Sequence, residues 1–132
     1  MSAKFLDLQN HDNPDSGQIV TDGASARMLL NKNISRDPFT CQFIYSEQTE
    51  LLIGLSSKLC FAQHSATSGD PPYLVAYLES DRSRTGLQEF LIDDTPTEIS
   101  RNQCIPLELL LEVAAYFVET GDRSPIVLWE DA

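Results

Sequence analysis

The chain is 132 residues long, 42% hydrophobic and 22% charged, with twenty acids against nine bases. That composition excludes a disordered tail, and a net charge of −11 excludes the usual electrostatic footprint of a nucleic-acid or anionic-membrane binder. The charge is also uneven: residues 1–66 hold seven acids and five bases, whereas residues 67–132 hold thirteen acids and four bases, a net of −9.

Lys4–Leu8 (KFLDL) reads as a short first strand, and Asn10–Gly17 as a loop of turn formers. Thr21 or Asp22 is placed to cap a helix through GASARMLLNKN, anchored by Met28, Leu29 and Leu30 and ended by Asn33. The period then changes. In Phe39–Tyr45 (FTCQFIY), Phe39, Cys41, Phe43 and Tyr45 alternate with Thr40, Gln42 and Ile44, which is a strand pattern. LLIGLSS, KLCFAQHS and YLVAYLE follow as further short strands, the last after a loop at Ala66–Pro72. SDRSRTG is a polar loop, and LQEFLI and TEIS flank DDTP as a hairpin. Strands so closely spaced leave no room for crossover helices, so the sheet is expected to be an antiparallel meander.

The last helix is the clearest element. In IPLELLLEVAAYFVETG, Pro106 is read in the first turn. Leu107, Leu110, Leu111, Ala114, Phe117 and Val118 form an apolar stripe, with Glu108, Glu112 and Glu119 off it. Gly121 stops the helix, Pro125 forbids its continuation, and IVLWED is left to join the sheet as a strand held by Ile126, Val127 or Leu128. The expected fold is α+β: a single domain over residues 1–132, a mostly antiparallel sheet of about five to seven strands, and two helices packed against it.

Chemistry is harder to find. His11 sits in a turn and His64 at a strand end, and neither has a local partner to orient it. No phosphate-binding loop, dinucleotide fingerprint, nucleophile elbow or zinc-protease motif is present. Cys41, Cys60 and Cys104 are odd in number and far apart, so the expectation is buried free thiols with no disulfide, metal or cofactor. The N-terminal residues lack the apolar run of a signal peptide, and no window is apolar enough to span a bilayer. These features imply a cytoplasmic binding module; an enzyme of unrecognised type is a further class.

The IPLE helix start, the helix ending FVETGDRSP and the terminal VLWED resemble the Imm1 family of bacterial immunity proteins. The residues that carry the resemblance are Pro106, Leu107, Phe117, Thr120, Gly121, Pro125, Trp129 and Glu130. LLIGLSSKLCFAQHS followed by YLVAYLE is similar to that family's central hairpin and next strand, with SSK where a glycine-rich turn is usual. The resemblance spans residues 39–131. It implies a non-enzymatic bacterial protein that neutralises the C-terminal domain of a cognate polymorphic or contact-dependent toxin. Such toxins are often deaminases or nucleases, whose basic clefts an acidic protein can fill with carboxylates.

On that view the expected partner-binding residues are Glu79, Asp81, Asp93, Asp94, Glu130 and Asp131. The alternative is a secretion chaperone or adaptor for a basic effector. The partner is a protein, with no nucleic acid and no membrane, and both monomer and homodimer remain open. Trp129 is expected to pack against the core rather than sit in the interface.

Overall fold

The computed structural model describes residues 2–36, 38–92 and 95–132. In chain order it contains β1 (Ala3–Asp7), β2 (Ile19–Val20), α1 (Gly23–Lys32), β3 (Phe39–Tyr45), β4 (Thr49–Leu55), β5 (Leu59–Ala66) and β6 (Leu74–Tyr77). These are followed by β7 (Leu87–Ile92), β8 (Thr95–Ser100), β9 (Ile105–Pro106), α2 (Leu107–Thr120) and β10 (Leu128–Asp131). The fold is α+β. The main sheet runs β10-β6-β5-β4-β3-β1-β2, with β9 paired to β5 off that path, and β7 and β8 form a second sheet of their own. Every described pairing is antiparallel.

The meander follows from its short turns. Between β3 and β4 the chain reverses with Ser46 and Glu47 at φ of 49° and 59°, closed by the Gln48 amide donating to the Tyr45 carbonyl at 2.9 Å. Alternation then assigns the faces. Phe39, Cys41, Phe43, Leu51, Ile53 and Leu55 share one face and are fully buried beneath the two helices. The opposite face carries a smaller cluster, Leu59, Phe61, Phe90 and Cys104, where the β7–β8 hairpin lies over the sheet. Gly54 permits that approach, because a side chain there would run into Phe61 and Phe90.

Asp22 caps α1, its carboxylate accepting from the Ser25 amide at 2.8 Å, and Asn33 ends it. Met28 does not anchor this helix; it is 73% exposed. Ala26, Leu29 and Leu30 do the anchoring, with the buried Gly23 set against α2. The reason is close packing: a methyl group on Gly23 would lie 2.9 Å from the Ala115 methyl, so the contact is made by small residues rather than by Met28. Arg27 and Glu112 then bridge the helices through two hydrogen bonds of 3.0 and 3.1 Å.

Pro106 stands one residue ahead of α2, not inside its first turn. Its extended backbone lets it pair with Leu59 before the helix begins. Leu110, Ala114, Phe117 and Val118 are buried as the stripe requires, while Leu107 and Leu111 are half-buried. Gly121 ends α2 at φ +75°, a conformation that favours glycine, and a side chain there would also strike the Tyr45 ring. Its carbonyl accepts from the Thr49 hydroxyl at 2.9 Å and lies 3.1 Å from His64 Nε2, so the helix end is fastened to β4 and β5.

Two details of the C-terminal half differ from expectation. β8 starts at Thr95, so Pro96 lies inside a strand. A two-stranded sheet has outer edges that need no donor, which makes this tolerable. The polar loop after β6 contains a 3₁₀ turn at Glu79–Asp81. Val127 alone of its trio is buried, with Ile126 and Leu128 about half exposed at 51% and 47%. No helix among the described residues is long and apolar enough to cross a membrane.

Candidate functional site

β10 places the last two acids on opposite faces. Its register sets Trp129 against Ala76 and Glu130 against Val75, so Trp129 and Asp131 share the helix-covered face and Glu130 points to the other. Trp129 is half-buried against the main core. Its indole donates to the Ser124 carbonyl at 2.9 Å, and its ring meets His64 edge-on at 6.4 Å. The tryptophan therefore packs, as alternation and its need for a hydrogen-bond partner lead one to expect.

Glu130 is not a free surface acid. Arg82 donates to it twice, at 2.6 and 2.8 Å, and Gln103 Nε2 donates at 3.1 Å. The Arg82 hydrogen bonds, helped by Gln103, hold the Glu130 carboxyl below its usual range against the opposing effect of partial burial. Arg82 also lies over the Tyr77 ring at 4.3 Å. One arginine thus ties the loop after β6 to the last strand, across 48 residues of sequence.

Of the other expected contact residues, Glu79 and Asp131 are exposed, and Asp81 is half-buried and pairs with Arg84 at 3.2 Å. Asp93 and Asp94 lie outside the described residues. Through Arg82 the structure brings the turn that carries Glu79 and Asp81 to Glu130 at the β6–β10 end of the sheet. Asp131 is turned away from them.

Asp7 is fully buried and saturated by its own surroundings. It accepts from Arg36 at 2.6 Å, from Asn13 Nδ2 at 2.8 Å, and from the Gln9 and Asn10 amides at 2.8 and 2.9 Å. Burial alone would raise this carboxyl, but Arg36, Asn13 and the two amides together hold it below the usual range. It is a staple for the loop between β1 and β2. Sequence reading missed it because Arg36 lies 29 residues away.

No group of three or more metal-ligating side chains assembles among the described residues. His64 is held by the Gly121 carbonyl and by edge contacts with Phe117 and Trp129. The three cysteines are buried thiols, and burial pushes the Cys104 thiol up to about 11. A surface hollow of about 310 Å³ beside α1 is lined by Asp15, Gln18, Ser25, Met28, Leu29 and Lys32, with Asp15 and Lys32 paired at 2.8 Å. None of these sets joins a nucleophile to an oriented base. What the arrangement offers is surface: exposed carboxylates on a rigid sheet.

No curated protein matches the chain. Residues 19–131 match a protein family described as Immunity protein Imm1. The match begins at β2 and takes in α1, twenty residues earlier than the resemblance over residues 39–131. Covering both helices and every strand except β1, it shows that the chain belongs to the Imm1 family of immunity proteins, and that its partner is a toxin.

Proposed function

We propose that this protein is the cytoplasmic inhibitor of a cognate bacterial toxin domain acting on nucleic acid, a deaminase or a nuclease, and that it works by covering the toxin's basic cleft. The observation that carries this reading is the net of −9 in residues 67–132, within a chain of the Imm1 family. A cleft built for phosphates attracts carboxylates, and a like-charged nucleic acid is kept away from the inhibitor.

Glu79, Asp81, Asp93, Asp94, Glu130 and Asp131 are the proposed contacts. Glu79 and Asp131 are exposed and free to steer association. Glu130 differs in being already paired with Arg82, so besides its proposed contact it holds the loop that presents Glu79 and Asp81.

The test is to mix the protein with its cognate toxin domain. Equimolar protein is expected to abolish toxin activity, and the association rate is expected to fall steeply above about 0.15 M salt, where the screening length is about 8 Å. Charge reversal at Glu79 or Asp131 should slow association, while exchange at Asp12 should not. Toxin activity that persists at excess inhibitor refutes the immunity function. Inhibition with a salt-independent association rate refutes the carboxylate mechanism.

A further inference from the structure

The β7–β8 hairpin has a covered face and an open one. Inward, Phe90 and Ile99 pack with Leu59, Phe61 and Cys104. Outward, the ladder sets Leu87 opposite Ser100, Glu89 opposite Glu98 and Leu91 opposite Pro96. Leu87 is 57% exposed, and Glu89, Pro96 and Glu98 are exposed as well.

The central pair is unfavourable for folding, because like charges directly opposite each other destabilise an antiparallel ladder. Among the described residues neither Glu89 nor Glu98 takes part in a salt bridge. Other acids near this side of the sheet are compensated: Glu130 by Arg82, Asp81 by Arg84. An uncompensated pair flanked by two leucines, on a sheet face exposed at Leu87, Glu89, Pro96 and Glu98, is a local conflict of the kind found at binding surfaces.

We propose that the outer face of this hairpin is a docking surface for the toxin domain, and that a lysine or arginine of the toxin enters between Glu89 and Glu98 while Leu87 and Leu91 meet apolar groups beside it. The proposal rests on the toxin-binding reading above and deepens it with hairpin residues that reading does not name. Charge selects this occupant over a second copy of the chain, since another molecule of net −11 would add like charge to a pair already in repulsion. A basic side chain from outside relieves the repulsion only in the complex, so the same two carboxylates oppose the free fold and favour the bound state.

The test is a paired measurement on the full chain, using the cognate toxin domain made catalytically inactive as the probe. The double variant Glu89→Gln/Glu98→Gln is expected to raise the melting temperature of the free protein by about 1–4 °C. It is also expected to weaken toxin binding by at least about tenfold. Leu87→Ser should leave melting unchanged and weaken binding about threefold or more. Asp12→Asn, the same kind of charge change on an exposed loop, should alter neither.

If the double variant and Leu87→Ser bind like the wild type, the hairpin is not the docking surface, although the toxin-binding reading stands. A wild-type protein that does not bind the probe refutes that underlying reading instead. A change in the sedimentation of the free protein, without a change in toxin binding, assigns the face to self-association and overturns the proposal.

Discussion

The two faces of the main sheet are finished by different means. One lies under α1 and α2 and is filled by a continuous apolar core from Phe5 through Phe43 and Ile53 to Phe117. The other is covered in part by a hairpin whose Phe90 packs with buried Leu59, Phe61 and Cys104, with Thr40 Oγ1 buried on that side of the sheet and bonded to no described atom. The larger buried apolar cluster lies on the first face. The second retains features that a fold selected only for stability would lose, among them the Glu89–Glu98 opposition and the half-exposed Leu87.

The largest effect expected from this contrast is at Phe117. Phe117→Ala removes a fully buried ring that meets Tyr45 and His64 edge-on, and should cost about 3–5 kcal/mol in denaturant melts. Phe90→Ala, in the smaller cluster, should cost about 2–3 kcal/mol because the hairpin can settle into the space left behind. Amides of β7 and β8 should exchange with solvent faster than those of β3 to β5. An equal cost at both positions, with uniform exchange, would break the comparison.

Asp7 sets the next effect. Asp7→Asn leaves Arg36 without its carboxylate and should cost about 3 kcal/mol at neutral pH. Since the folded carboxyl lies below its unfolded value of about 3.9, its stabilisation is fully present above that pH and fades as pH falls through the folded value. Stability measured against pH should therefore drop less steeply under acid in the variant than in the wild type.

Gly121→Ala should cost about 2 kcal/mol, since alanine resists φ of +75° and its methyl meets the Tyr45 ring. The smallest effect has the opposite sign. Thr40→Val replaces the orphaned hydroxyl on the hairpin side of the sheet with a methyl and should gain about 1 kcal/mol in thermal melts. A loss there would mean that the hydroxyl is satisfied in solution.

The helix-covered face was the legible one. Alternation in Phe39–Tyr45 and the stripe from Leu110 to Val118 are local patterns, and burial follows them. Gly121 and Pro125 announce the end of α2 for reasons that need no tertiary contact. The hairpin face depends instead on register and distant pairing. Reading DDTP as the turn would pair Ile92 with Thr97, whereas the ladder closes at Ile92 and Thr95, and only that register brings Glu89 opposite Glu98. The pairing of Glu130 with Arg82 was hidden by sequence distance. The separation of Glu130 from Asp131 was not hidden: strand alternation alone puts adjacent residues on opposite faces.

The packing of Trp129 has a spectroscopic consequence. It is the sole tryptophan of the chain, its indole is fixed to Ser124 and its ring stands beside His64. Its emission is therefore a single-site signal for the docking of β10, free of overlap from a second indole. A toxin domain lacking tryptophan would let that signal be followed inside the complex, where it would report whether the last strand stays seated while the opposite side of the sheet is engaged.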